Sequence, residues 1–176
     1  RGQVTLNSDN WPTFVDVTGR ITNAGGAPVL LPGGGAATTL ARADLSVTYD
    51  AGDGDAFTAA FDVDGFETTG LQVAQAALGF DGTLQGNVGS VGQFLAGMTI
   101  AAQGIALEDQ ALQEAVGPRL QGRAQINYIE GQPIRLEDLD FDGTGYGLTG
   151  RVVVNGPDQG LLTRLSVVLD AADLSR

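Results

Sequence analysis

At 176 residues, 43% of them apolar and 6% aromatic, the chain is long enough to bury one sizeable apolar surface and too apolar to stay disordered. Its nine basic residues are all arginine and it has no lysine, histidine or cysteine, so Ser-His and Cys-His nucleophile pairs, a lysine Schiff base, a P-loop lysine and every His or Cys metal site are excluded. A net charge of −12 opposes binding to nucleic-acid phosphate or to an anionic membrane surface, and no basic cluster offsets it locally.

Strand alternation begins by Val4 and is clear in Val15, Val17, Gly19 and Ile21, where apolar or small residues recur every second position. The glycine-rich segment 23–35 reads as a loop with an apolar centre, Val29-Leu30-Leu31, that tucks onto the sheet. Alternation resumes in Leu45, Val47 and Tyr49, then in Phe57, Ala59, Phe61 and Val63, then in Ala76, Leu78, Phe80, Gly82 and Leu84. Asp53-Gly54 and Asp64-Gly65 read as turns between these runs, which makes the strands neighbours in antiparallel hairpins.

One helix is predicted, from about Glu108 to Val116, with Asp109 at its start, Gly117 to terminate it and Pro118 to prevent continuation. Strands follow at Leu120 to Tyr128, Leu136 to Gly143, Tyr146 to Val154 and Leu165 to Leu169, with turns at Glu130-Gly131 and Asn155-Gly156-Pro157-Asp158. The closing Asp173-Leu174-Ser175-Arg176 reads as the first turn of another helix, and the chain starts at Arg1 without a leader pattern. The whole, 1–176, therefore reads as one continuous segment of a longer protein.

A five-residue strand motif, aliphatic-polar-Gly-polar-small or aliphatic, recurs at Gly19, Gly86, Gly122 and Gly150. Residues two apart share a strand face, so each copy puts its apolar ends and its glycine on one side and its polar pair on the other. Recurrence at intervals of 67, 36 and 28 residues suits an elongated sheet with insertions.

Only carboxylates remain for site chemistry. Asp138, Asp140 and Asp142 followed by Gly143 have the opening spacing of a calcium loop, but Thr149 stands where a bidentate Glu is needed. As a strand, the same stretch turns Leu139, Phe141 and Gly143 inward and leaves the three acids as a solvated row. Asp50, Asp53 and Asp55 cluster at a turn, where Asp62 and Asp64 could join them across a hairpin, and these are the candidates for paired-carboxylate hydrolysis. No enzymatic activity, metal or cofactor is expected.

The succession of elements resembles the C-terminal part of the TamB family, inner-membrane-anchored periplasmic proteins of the translocation and assembly module, related to AsmA-like and bridge-like lipid-transfer proteins. The segments that carry it are Gly25 to Pro32, Ala43 to Asp50 followed by Gly54 to Thr58, the helix Asp109 to Gly117, the strand Leu120-Gln121-Gly122, the turn Glu130 to Ile134, the strand Leu136 to Phe141 and Tyr146 to Gly150. The resemblance implies an all-β, mainly antiparallel sheet curled into a U-shaped apolar trough, a β-taco. It further implies a periplasmic location and a conduit for phospholipid acyl chains between inner and outer membrane in outer-membrane biogenesis and protein assembly. A TamA-like outer-membrane barrel is the implied partner, through the full-length protein, and the membrane anchor is expected outside this segment. On that reading the trough is lined by Phe57, Phe61, Leu78, Phe80, Ile126, Tyr128, Leu136, Phe141, Leu148, Val152, Leu165 and Val167. The alternative is a structural β-solenoid or β-sandwich module of an exported protein, calcium-stabilised through Asp138, Asp140 and Asp142, with the same apolar faces forming a closed core.

Overall fold

The computed structural model describes residues 1–31, 38–87, 90–154 and 163–171. The strands are β1 (Gly2–Leu6), β2 (Pro12–Thr22), β3 (Val29–Leu30), β4 (Thr39–Leu40), β5 (Arg42–Asp50), β6 (Ala56–Thr68), β7 (Leu71–Asn87), β8 (Ser90–Leu107), β9 (Arg119–Ile129), β10 (Ile134–Gly143), β11 (Tyr146–Val154) and β12 (Thr163–Ala171). One α-helix among the described residues, α1 (Gln110–Val116), interrupts them between β8 and β9, and a 3-10 turn at Ala51–Asp53 joins β5 to β6. All join one sheet in the order β1-β2-β5-β6-β7-β8-β9-β10-β11-β12, with β4 pairing β3 and the end of β6. Every pair is antiparallel, so the main path follows chain order as a meander, as short connections require.

The sheet is a single layer. A compact protein of this mass exposes about 8,000 Å², whereas this chain exposes 11257 Å². No charged or polar side chain is buried among the described residues, and the buried positions are apolar ones scattered along one face. That face is the concave one: Trp11, ahead of β2, reaches the backbone of Gly86 in β7, and Tyr49, Phe57 and Ala96 pack with Val15 of β2 and Ile126 of β9. Such contacts between strands separated by others need an open, curled sheet.

Four adjacent strand segments shift phase together. The inward residues are Leu40 then Ala43, Val63 then Phe66, Val73 then Ala76, and Ala102 then Ile105, each pair separated by two exposed or half-buried residues where strict alternation allows one. Gly65 and Gly104 make the shift, with φ of 62° and 65°; a Cβ on Gly65 would lie 2.9 Å from that of Ala41, and one on Gly104 would lie 2.5 Å from that of Ala74. Asp64-Gly65 is therefore not the expected turn but a kink inside β6. The chain turns at Thr69-Gly70, where Gly70 has a φ of 76°.

The longest strand, β8 at 18 residues, has no counterpart among the runs read from the sequence. Phe94, Ala96, Met98, Ile100 and Ala102 do alternate, but Leu95 and Ala101 between them are as apolar as the inward residues they adjoin, so the two faces are not told apart. The expected finger at Val29-Leu30-Leu31 is a two-strand flap in which Val29 opposes Leu40 and Leu30 is exposed. Part of that loop, 32–35, lies outside the described residues, as do the expected turn at 155–158 and the closing 173–176.

The helix forms where its caps place it. Asp109 accepts a hydrogen bond from the Leu112 amide at 2.9 Å, and Gly117, at a φ of 71°, ends the helix with its N–H on the Gln113 carbonyl. Leu112 points to solvent, so α1 does not roof the sheet. It ends β8 through Gln113, whose side chain accepts from the Leu107 amide at 2.6 Å and donates to the Ile105 carbonyl at 3.3 Å, standing in for a strand partner that β9 is too short to provide.

Candidate apolar trough

Cross-strand register builds the inner face as continuous rows. One row runs Val4, Val15, Tyr49, Phe57, Gly82, Ala96, Ile126, Leu136, Val152 and Leu165 across ten strands. A second runs Val17, Val47, Ala59, Phe80, Met98 and Ala124, and resumes beyond an irregularity in β10 as Leu139, Gly150 and Val167. A third runs Gly19, Leu45, Phe61, Leu78, Ile100, Gly122, Phe141, Leu148 and Leu169. These rows contain no charge.

All twelve positions expected to line a trough fall on this face. Phe57 is buried; Phe61, Leu78, Phe80, Ile126, Tyr128, Leu136, Phe141, Leu148 and Val152 are half-buried; Leu165 and Val167 hold register positions in β12, and their side chains lie outside the described residues. Half-burial on the inner side of a single layer leaves apolar surface available to a guest, because no second sheet covers it. Missing from the expected lining were Tyr49, Leu139 and the β8 residues Phe94, Met98 and Ile100. The period-two pattern of Phe94, Met98 and Ile100 was the available signal; for Leu139, already read as inward, it was the step of three from Leu136 that marks the irregularity at Asp138, whose φ is 50°.

The rows are packed tightly at one end. Phe57 and Phe94 stack with ring centroids 5.0 Å apart although β7 runs between their strands, and they meet beside Gly82, on which a Cβ would overlap the Leu95 carbonyl oxygen. Tyr49 closes this end: its hydroxyl donates to Asp55 at 3.1 Å and takes a hydrogen bond from Trp11. Burial raises the Tyr49 hydroxyl above its ordinary value of 10.0, the Trp11 bond works against that, and the neighbouring Asp55 adds to it. Further along, Phe61 and Phe80 meet edge to face at 6.4 Å.

The outer face is polar and laced by cross-strand pairs: Thr48 with Thr58 at 2.7 Å, Gln103 with Gln75, and Arg123 with Asp140 at 2.7 Å. Arg20 at 2.6 Å and Arg42 flank Asp44, and the Arg20 hydrogen bond is the largest cause holding that carboxyl below its ordinary value. A hollow of about 710 Å³ on this side is floored by Ala77 and Ala101 and rimmed by Asp62, Gln75, Gln103 and Arg119, a lining suited to water rather than to an acyl chain.

The acids do not converge. Asp62 opposes Asp44 and Asp64 opposes Arg42, six and more residues along β6 from the tip that carries Asp50, Asp53 and Asp55, so the expected approach across the hairpin does not occur. Asp140 is engaged by Arg123, Asp138 sits at the irregularity, and no group of three potential metal ligands comes together among the described residues.

Among the described residues no helix is long and apolar enough to cross a membrane. The fold and face define a class, a single-layer curled antiparallel sheet with an apolar inner surface. Comparison of the chain with protein-family models, with curated proteins and with solved structures finds no match.

Proposed function

We propose that the chain is a segment of a periplasmic lipid conduit of the TamB type, in which the inner face shields phospholipid acyl chains on their way between inner and outer membrane and so supports outer-membrane biogenesis and protein assembly. The observation that carries the reading is the charge-free set of rows running from β2 to β11 on the uncovered concave face of one sheet. An acyl chain in water costs about 0.8 kcal/mol per CH₂, so about sixteen carbons face a barrier of about 13 kcal/mol. A continuous apolar wall removes that barrier, and it needs neither base nor metal to do so. Contact with a TamA-like outer-membrane barrel belongs to the full-length protein on this reading, as does membrane anchoring.

The test places a photo-crosslinking amino acid at Phe80, on the inner face, and at Asp81, its exposed neighbour on the outer face. Irradiation in cells expressing the full-length protein should attach phospholipid at position 80 and not at 81. Silence at 80 in a folded variant whose probe still crosslinks protein neighbours would overturn the proposal.

A further inference from the structure

The recurrent glycine motif has a geometric partner in three of its four copies. On Gly19, an added Cβ would lie 3.3 Å from the Leu45 side chain; on Gly86 it would lie 2.7 Å from the Trp11 ring carbons Cη2 and Cζ2; on Gly122 it would overlap Cδ1 of Phe141 and lie 2.6 Å from its Cγ. Gly143, next but one to Phe141, repeats the arrangement with Tyr146, whose Cε1 and Cζ would be overlapped and whose hydroxyl would lie 2.6 Å away. Gly122 opposes Phe141 directly, and Gly143 and Tyr146 flank the two-residue turn of the β10–β11 hairpin. Leu45, Phe141 and Tyr146 thus lean over the neighbouring strand, and Trp11 reaches past two intervening ones, onto ground that any other residue would occupy.

On a concave face, side chains from successive strands converge, so rings standing upright would fill the space between them. We infer that Gly122 and Gly143 are the residues that set the bore of the trough over β9 to β11, by letting Phe141 and Tyr146 lie flat and present their faces to the acyl chain. The bore-setting consequence rests on the lipid-conduit reading; the resting places for the rings do not. Gly143 is the cleaner probe, because the three atoms nearest an added Cβ all belong to Tyr146, whereas on Gly122 the Asp140 carbonyl oxygen also lies at 2.8 Å.

Two measurements on the 176-residue chain separate the two parts. In proton NMR, rings lying on the glycines shield their α-protons, so Gly122 and Gly143 resonate upfield; Phe141→Leu should return only Gly122 towards its unshielded position, and Tyr146→Leu only Gly143. Glycine shifts indifferent to both substitutions would overturn the inference, whatever lipid does. The second measurement places a photo-crosslinker at Leu148 and adds vesicles of phosphatidylethanolamine and phosphatidylglycerol. Gly143→Ala should lower crosslinked phospholipid several-fold, while Gly147→Ala, on the outer face where a Cβ meets only Asp142 Oδ1 at 3.6 Å, stays within about twofold of the unaltered chain. Gly143→Ala with Tyr146→Leu should recover the loss, because the shorter side chain needs no resting place; this variant also serves if Gly143→Ala alone does not fold. Unchanged crosslinking in Gly143→Ala, an equal loss in Gly147→Ala, or no recovery in the double variant would overturn the role. Absence of phospholipid from the unaltered chain would remove the conduit reading and the bore with it, while the NMR result on the rings would stand.

Discussion

Truncation of Phe57 tests the curl of the sheet directly. The side chain is 8% exposed and packs with Tyr49, Ala96 and the Phe94 ring, so Phe57→Ala removes a nearly complete burial. Buried Phe→Ala changes cost about 3–5 kcal/mol. The lower end applies, because the vacated site opens towards the trough and can be partly refilled. A loss of about 3 kcal/mol corresponds to about 6–12 °C in Tm for a chain of this length. Phe94→Ala, from a half-buried site, should cost about 2 kcal/mol. The two losses should fall short of adding by about 0.5–1.5 kcal/mol, the part carried by the stacked pair. Urea unfolding followed by fluorescence of the sole tryptophan, Trp11, provides the assay, since that ring sits at the same end against Gly86. In a flat sheet, rings on β6 and β8 would be held apart by β7 and would not couple. Additive losses, within about 0.3 kcal/mol, would therefore refute the strong bend at Gly82 and the concavity inferred from it.

Tyr49 ionises later in the folded than in the unfolded chain, so its contribution is complete below pH 10.0 and is lost as pH rises through the raised folded value; Tyr49→Phe should flatten the fall of Tm above pH 10.0, and an unchanged alkaline limb would count against the buried hydroxyl. Gln113→Ala should speed hydrogen exchange at the Leu107 amide and cost about 1–2 kcal/mol, because it strips the substitute partner from the end of β8. Arg123→Ala, by contrast, should shift stability by less than about 1 kcal/mol, since the guanidinium is largely exposed. Calcium followed by chelator should leave Tm unmoved, whereas a rise with calcium would restore the structural-module alternative through Asp138, Asp140 and Asp142.

What was legible in the sequence was whatever depends on alternation within one strand. Val15 to Ile21, Phe57 to Val63 and Tyr146 to Val154 announce their faces because each apolar residue has a polar or small neighbour, and side-chain direction reverses at every residue. The helix was legible for a similar local reason, an Asp cap and a terminating Gly. The twelve lining positions came from the same arithmetic, which is why they share a face. Where one local signal failed, so did the reading: β8 has Leu95 between Phe94 and Ala96 and Ala101 between Ile100 and Ala102, so residues on opposite faces look alike, and Asp64-Gly65 has the composition of a turn but serves a kink.

The tertiary structure alone decided the rest, because those features depend on neighbours far apart in the chain. The phase shift at Gly65 makes sense only beside Ala41, at the bend between β4 and β5, and Gly104 in β8, which must shift with it for the ladder to continue. Whether Phe57 meets Phe94 depends on how far the sheet bends at Gly82, and no alternation pattern encodes a bend. Three of the motif glycines are the plainest case: period two places them on the inner face, but the reason for a missing Cβ is a ring or leucine brought there from elsewhere in the sheet, Leu45 on Gly19, Trp11 on Gly86 and Phe141 on Gly122. A sequence records which way a side chain points; only the assembled sheet determines what it meets there.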